Sequence, residues 1–224
     1  SRLSIMFSEL EIARTYNNMD VNEITAKLNL FEERTEAEKV PAINERRNTP
    51  EEYCNLYRER FLPQQEKNKA LGAKVTWILP PHSRYRDLGE TALTDGLYGG
   101  STYVESWVGW EGENAAFILD MGEEKEFSRI ESDFLHQLGA WVLLPVSGRY
   151  SISSDGEEYS VFGRFDIPED RDVRVKFTKG TVTKDKPVKA RYIKVEIEGT
   201  IECPYWHYGI GFPSWFFIDE VFVN

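Results

Sequence analysis

The hydrophobic pattern changes near residue 72, and this change limits the fold more than any other feature of the sequence. Before it, apolar residues recur every three or four positions, as on one face of an α-helix. After it, short β-branched and aromatic runs alternate with polar residues between turn signals. All six tryptophans lie after this point. We therefore predict a helical domain over residues 1–72 and a β-domain over residues 73–224.

Three helices are predicted in the first domain. The clearest start is Thr49, whose hydroxyl can cap the helix, followed by Pro50 at the first helical position and two glutamates in the first turn. An earlier helix is capped by Asp20, and another follows the apolar stripe over residues 3–13.

Seven segments of the second domain read as strands, at residues 74–79, 116–119, 127–135, 148–153, 173–177, 190–197 and 216–223. Turn signals are Asp95-Gly96, Asp155-Gly156, Lys179-Gly180 and Glu198-Gly199. No helical pattern is interleaved with these segments. The fold class predicted for the whole chain is α+β, with a short helical segment followed by an antiparallel β-sandwich.

The charge balance disfavours several classes of partner. Asp and Glu number 38 against 27 Lys and Arg, a formal net charge of −11, which repels nucleic-acid phosphates and anionic lipid surfaces. No apolar run is long enough to predict a membrane span. Cys54 and Cys203 are too far apart in sequence to indicate a metal motif, so we expect buried free thiols.

Six short motifs follow one another in the β-domain. They are Leu93-Thr94-Asp95-Gly96, Trp107-Val108-Gly109-Trp110, Ile118-Leu119-Asp120-Met121-Gly122, Tyr150-Ser151-Ile152-Ser153-Ser154-Asp155-Gly156, Ala190-Arg191-Tyr192-Ile193-Lys194-Val195 and Phe217-Ile218-Asp219-Glu220-Val221. In this order the series resembles the discoidin-type (coagulation factor 5/8 type C) family, which includes family 32 carbohydrate-binding modules. The resemblance implies a galactose-binding-domain-like jelly roll that binds a glycan or oligosaccharide without catalysis. It also implies that Trp107 and Trp110 lie in the core.

Three further segments extend the resemblance. Residues 134–141 and 204–211 are similar to loops of C-terminal modules of bacterial glycoside hydrolases, and residues 42–53 resemble the helical segment of large glycoside-hydrolase-like proteins. The resemblance implies that the chain is the C-terminal portion of a longer protein with an upstream catalytic-type domain. It also implies a periplasmic, cell-surface or secreted location.

A sugar-binding site needs an aromatic platform and a few directed polar groups. Tyr205, Trp206 and His207 have that composition within a segment rich in Gly and Pro, which is typical of a loop. We expect Trp206 to stack on a sugar and His207 to donate to a hydroxyl. His136 and Trp141 are a second loop candidate. In the alternative, the aromatic side chains around Trp206 pack under their loop or against the helical domain. The alternative for the second candidate is a satisfied polar turn with Trp141 in the core.

Asp95 and Glu220 match positions that hold a structural calcium in many members of the family that the chain resembles. Calcium takes six to eight oxygen ligands, several of them carboxylates. The family often has Thr two residues before its tryptophan, whereas this chain has Glu105. In the alternative, Asp95 accepts hydrogen bonds from the amides of its own turn.

The sequence is therefore compatible with three functions. The first is a non-catalytic carbohydrate-binding module of a larger glycan-processing protein. The second is a structural module whose aromatic loop contacts a neighbouring domain. The third is a fragment of an enzyme whose catalytic acids lie upstream, although the chain itself shows no nucleophile elbow, phosphate loop or zinc motif. We expect no enzymatic activity from this chain.

Overall fold

The computed structural model describes residues 21–42, 49–61, 68–85, 89–96, 98–104 and 106–224. The chain divides into two compact units, Ser1–Lys67 and Asn68–Asn224. The helix predicted over residues 3–13 and its neighbour's cap, Asp20, lie outside the described residues.

Two helices are described in the first unit, α1 (Val21–Ala37) and α2 (Pro50–Phe61). The predicted start of α2 is confirmed by a reciprocal capping box. Thr49 Oγ1 accepts from the Glu52 amide at 3.2 Å, and Glu52 Oε2 accepts from the Thr49 amide at 2.9 Å. Neither of these helices is long and apolar enough to cross a membrane.

The two helices pack through a small apolar contact and an ionic clamp. The rings of Phe31 and Tyr53 lie 6.4 Å apart. Arg58 Nη1 donates to Glu32 Oε1 at 2.9 Å, and Arg58 Nη2 donates to Asn29 Oδ1 at 3.0 Å. A clamp of several charge-assisted bonds fixes the pairing of α1 with α2 more tightly than one exposed ion pair does.

Both cysteines are free and buried, which confirms the prediction. Burial raises the pKa of the Cys54 thiol to about 12 and also raises the pKa of Cys203. Thiols with raised pKa values carry little thiolate at neutral pH.

Seven strands form the second unit: β1 (Lys74–Leu79), β2 (Val108–Glu111), β3 (Ala115–His136), β4 (Ser147–Ser153), β5 (Ser160–Asp166), β6 (Lys176–Glu198) and β7 (Trp215–Val223). They pair in the order β2-β7-β3-β6-β4-β5, with β1 beside β3. Every strand pairing is antiparallel.

Strand β3 changes partner along its length, and this change closes the sandwich. Its first half pairs with β1 and its second half with β7, while β6 runs beside both halves. Register shifts follow Asp120 and Phe127, where the strand bends. The two layers enclose one core that includes Trp110, Phe117 and Tyr150. The predicted antiparallel sandwich is confirmed, and Trp107 and Trp110 are buried as expected.

Three sequence predictions about the strands are wrong. The candidates at 116–119 and 127–135 are parts of the single strand β3. The candidates at 173–177 and 190–197 both fall in β6, which begins only at Lys176. Lys179-Gly180 is not a turn but lies inside β6, where a Cβ on Gly180 would overlap the Phe165 ring. The glycine is therefore needed for close packing rather than for chain reversal.

The β-unit begins slightly before the predicted boundary at residue 72. The side-chain nitrogen Nδ2 of Asn68 donates to Val221 O at 3.1 Å, and Asn68 Oδ1 accepts from the backbone amide of Val223 at 3.0 Å. The Gly72 amide donates to Thr94 O at 2.7 Å. Residues 68–72 are thus tied to the sandwich, because they satisfy backbone groups of its last strand.

Candidate functional site

Residues 203–213, here called the aromatic loop, connect β6 to β7 at one end of the sandwich. The Cys203 amide donates to Phe212 O at 2.8 Å, and the Gly211 amide donates to Cys203 O at 3.0 Å. These bonds close the base of the loop. Tyr205, Trp206 and His207 lie in its turns and not in a strand, which agrees with the predicted loop.

A second loop, residues 167–175, holds the indole of Trp206 in place. Trp206 Nε1 donates to Glu169 Oε2 at 2.7 Å, and Arg171 Nε donates to Glu169 Oε1 at 2.7 Å. The Arg171 guanidinium lies 5.1 Å from the Trp206 ring centre and 5.7 Å from that of Tyr205. The hydrogen bonds from Trp206 and Arg171 lower the pKa of Glu169. The carboxylate therefore stays ionised at neutral pH.

Trp206 lines a concave space of about 240 Å³, here called the end cleft. Its walls are mainly aliphatic and come from Leu143, Leu144, Pro145, Val146, Ile167 and Pro168. Glu169 and Asp170 contribute the carboxylates. The end cleft thus combines apolar walls with directed acceptors, as small-molecule sites generally do.

His207 lies beneath the aromatic loop and does not face the end cleft. Its side chain is buried, and both ring nitrogens are bonded within the β-unit. Nδ1 accepts from the Gly209 amide at 3.0 Å, so Nε2 carries the proton and donates to Leu138 O at 3.1 Å. His207 therefore has no ring nitrogen left for a ligand hydroxyl, contrary to the expected donor role. It positions the loop.

His136 is also a buried, positioning residue. It lies at the end of β3, and its Nε2 is 2.7 Å from Asp172 O in the second loop. This contact ties the strand to the loop that carries Glu169 and Arg171. Direct contact between His136 and a ligand, which the sequence suggested, does not fit its burial at 1% exposure.

Trp141 packs against the later part of the aromatic loop. Its ring lies 6.0 Å from that of Tyr208 and 5.6 Å from that of Phe212. Tyr208, Ile210 and Phe212 are exposed, at 69%, 57% and 60%. We call these four residues the apolar rim. Trp141 thus supports exposed apolar groups and does not line the end cleft.

Three carboxylates gather away from the aromatic loop. Glu220 Oε1 accepts from the Gly96 amide, and Asp219 Oδ2 accepts from the Gly99 amide at 2.7 Å. Burial raises the pKa of Glu220 well above its usual value, and the charges of Asp219 and Asp95 add to this effect. Carboxylate oxygens suit calcium. However, no three His, Cys, Asp or Glu side chains in the described ranges are arranged to hold a metal, so the calcium site remains a prediction.

Sequence reasoning missed Glu169 and Arg171, which complete the site. In the sequence both belong to a charged run that reads as a solvated turn. A sequence model of the F5/8 type C domain matches residues 81–216, more than half of the chain. The chain belongs to the F5/8 type C domain family. Membership agrees with the motif order and with the sandwich described above.

Solved structures similar to this F5/8 type C domain include a CBM32 module, a fucolectin and SpGH29. A CBM32-1 module from a family 31 glycoside hydrolase of Clostridium perfringens is 20% identical, with a TM-score of 0.45, over 70% of this chain and 97% of that one. An f-lectin (fucolectin) from striped bass (Morone saxatilis) serum is 18% identical, with a TM-score of 0.45, over 70% of this chain and 48% of that one.

SpGH29 is 16% identical, with a TM-score of 0.42, over 78% of this chain. The chain spans about 30% of the length of SpGH29. No match was found among curated protein sequences.

Proposed function

We propose that the F5/8 type C domain is a non-catalytic carbohydrate-binding module whose glycan ligand binds at the end cleft. One observation carries the proposal. Trp206 lines a concave site while its indole N–H is held by Glu169, beside the Arg171 guanidinium. A sugar presents apolar C–H faces and a rim of hydroxyls, and this arrangement offers a partner to each.

The polar groups beside Trp206 keep unused bonding capacity. A carboxylate has about four acceptor positions and a guanidinium five N–H donors. Glu169 uses one position on each oxygen, for Trp206 and for Arg171. The remaining lone pairs and guanidinium N–H groups can bond adjacent hydroxyls, and their mutual contacts hold them in place before a ligand arrives.

We also propose that the chain belongs to a longer, exported glycan-processing protein with an upstream catalytic-type domain. The similarity of residues 134–141 and 204–211 to loops of glycoside-hydrolase modules supports this. Such a module raises the local concentration of its attached enzyme on a glycan, an effective-concentration effect that needs no catalytic group of its own.

A structural module is the second candidate, and the apolar rim favours it. Tyr208, Ile210 and Phe212 are all more than half exposed and lie in a single loop. Exposed apolar patches of this kind mark contacts with other proteins or domains. In this function the rim, and not the end cleft, carries the interaction.

A glycan array on the intact chain, followed by calorimetry on the best ligand, tests the proposal. We expect Trp206→Ala to weaken binding by about tenfold or more, because it removes the cleft wall. Tyr208→Ala, in the same loop but on the apolar rim, is the matched control and should bind as the unmodified chain does. Unchanged binding by folded Trp206→Ala contradicts the proposed site. Turnover of chromogenic glycosides by this chain would contradict the non-enzymatic role.

A further inference from the structure

A second concave surface lies on the outer face of the sheet, on the strands that also border the end cleft. Its floor is a row of directly paired residues from five strands: Leu79, Ala116, Glu196, Arg149 and Arg164. Residues that alternate with this row, such as Ile197 and Phe165, point into the core. The space measures about 370 Å³. We call it the face groove.

Two arginines stand side by side in this row. Arg149 Nε and Nη2 donate to Glu196 Oε2 at 2.9 and 2.7 Å, so its charge is compensated. Arg164 lies directly opposite Arg149 and is exposed. Across the described part of the chain it forms no hydrogen bond or ion pair. Like charges placed directly opposite each other destabilise a strand pair. Arg164 therefore opposes folding, and its guanidinium N–H groups are open to a ligand.

The remaining charges decide the class of that ligand. Asp166, Glu196 and Glu198 line the face groove together with the two arginines. Lys194 Nζ also pairs with Glu196 Oε1 at 3.3 Å, so three cations balance the three carboxylates and the groove favours neither an anionic nor a cationic ligand. The groove instead brings the guanidinium donors of Arg149 and Arg164 together with the acceptors of Asp166, Glu196 and Glu198. This pattern suits a neutral molecule rich in hydroxyl groups, since each hydroxyl both donates and accepts.

The face groove and the end cleft are lined in part by residues that are neighbours in sequence. Val146, Ile167 and Thr200 line the end cleft, while Ser147, Asp166 and Glu198 line the face groove. These residues are neighbours in sequence at the ends of β4, β5 and β6. A chain of sugars that leaves the end cleft along these strand ends therefore meets the face groove next.

The volumes of the end cleft and the face groove bear on the size of the ligand. Typical small-molecule sites measure about 300–1,000 Å³. The end cleft, at about 240 Å³, lies below this range, and the face groove, at about 370 Å³, lies at its lower edge. One ligand that occupies both spaces has a site of ordinary size, whereas a ligand confined to the end cleft does not.

We propose that the end cleft and the face groove form one extended site for a neutral oligosaccharide, with one sugar beside Trp206 and later sugars over Arg164. This inference rests on the proposed function, because it assigns the length and charge of the ligand at the same site. It adds Arg164 as a residue that binds the extended part of the ligand.

Calorimetry with oligosaccharide ladders of one to six sugars tests the inference. The neutral probes are the chitooligosaccharide, cello-oligosaccharide and galacto-oligosaccharide series, and oligogalacturonides provide an acidic series. We expect Kd to fall about tenfold or more between one and six sugars in at least one neutral series. Arg164→Ala should remove that gain and leave monosaccharide binding unchanged. Trp206→Ala should weaken binding at every length.

Arg84→Ala, which removes another exposed arginine of the same unit, is the matched control and should not change Kd at any length. Because Arg164 has no partner in the described part of the chain and lies opposite a like charge, Arg164→Ala should not lower the melting midpoint. Equal Kd for one and six sugars, or six-sugar binding unaffected by Arg164→Ala, overturns the inference but leaves the proposed function standing. Tighter binding of the acidic series overturns the inference as well. No binding in any series overturns both.

Discussion

Trp206 Nε1 donates to Glu169 Oε2 at 2.7 Å, a contact that joins two loops 37 residues apart in sequence. The same carboxylate accepts from Arg171, whose guanidinium covers the Trp206 ring. The two loops are therefore joined at the edge of the end cleft by this bond and by a longer one, 3.4 Å, from Arg171 Nη2 to the Tyr205 hydroxyl. Each loop limits the motion of the other, and the site is formed before any ligand binds.

Glu169→Ala should weaken glycan binding by about tenfold without changing the melting midpoint. The carboxylate is exposed, so its loss affects the orientation of Trp206 and Arg171 more than it affects folding. Calorimetry and thermal melting measure the two effects. Glu157→Ala, at another exposed glutamate, is the control and should change neither. Full-affinity binding by Glu169→Ala would remove this residue from the site.

His207→Ala should destabilise the β-unit by about 1–3 kcal/mol. The substitution leaves the Gly209 amide and Leu138 O without their side-chain partner beneath the aromatic loop. Chemical denaturation measures the free energy of unfolding. Tyr205→Ala changes a 76% exposed side chain in the same loop and should leave stability nearly unchanged. Equal stability of the two variants contradicts the positioning role of His207.

Gly180→Ala should destabilise the sandwich by about 1–3 kcal/mol. A Cβ at this position would overlap the Phe165 ring, and the Gly180 carbonyl also accepts from the buried Tyr150 hydroxyl at 2.6 Å. Gly139→Ala is the matched control, since a Cβ there meets no atom within 4 Å. The melting midpoints of both variants give the comparison. A neutral Gly180→Ala would show that the packing of β5 on β6 is looser than the structure indicates.

Stability should depend on pH through Asp120. Arg191 Nε and Nη2 donate to its two oxygens at 2.7 and 2.8 Å, and these bonds lower the pKa of Asp120 in the folded chain. The unfolded chain then binds the proton more readily than the folded one. The contribution is therefore fully present above the unfolded pKa of about 3.9 and lost as pH falls through the lower folded value.

Asp120→Asn should consequently cost about 0.5–1 kcal/mol at pH 7, since the pair is partly exposed, and the difference from the unmodified chain should shrink towards pH 2–3. Denaturation across this pH range is the measurement. Asp185→Asn, at an exposed aspartate, should show no such trend. A constant difference at every pH contradicts the assignment to Asp120.

Millimolar calcium should raise the melting midpoint relative to a chelator if the predicted site near Asp95 and Glu220 binds the ion. The physical reason is that a divalent cation bound by these carboxylates stabilises the folded state by mass action. Glu220→Gln should abolish the difference, and magnesium at the same concentration serves as the control. Identical midpoints with calcium and with chelator contradict the calcium prediction.

Local interactions account for what could be predicted before the tertiary structure. The start of α2 at Thr49 depends on a bond to Glu52 only three residues away. Parts of β1, β3, β4, β6 and β7 were predicted from the residue pattern within each segment, whereas β2 and β5 were not predicted. Trp107 and Trp110 were expected in the core from their place in the motif series, and both are buried. Such features need no knowledge of which segments meet.

The arrangement of the candidate site depends on tertiary contacts, which the alternation of polar and apolar residues along a strand does not predict. Histidine is a common ligand-binding residue, yet the ring nitrogens of His207 bond to Leu138 O and the Gly209 amide. Lys179-Gly180 has the composition of a turn, yet it lies in β6 because Phe165 packs on it. In both cases a partner distant in sequence overrides the local preference.

The sequence by itself determined the helical and sandwich parts, the family and the aromatic character of residues 203–213. Periodicity and motif order are properties that can be observed in the sequence without knowledge of the tertiary structure. Only the tertiary structure decided that Glu169 and Arg171 hold Trp206, that His136 and His207 are buried, and that Arg164 stands opposite Arg149. Alternation shows which side chains share a face of one strand, whereas register and loop packing decide which strands and loops place those side chains together.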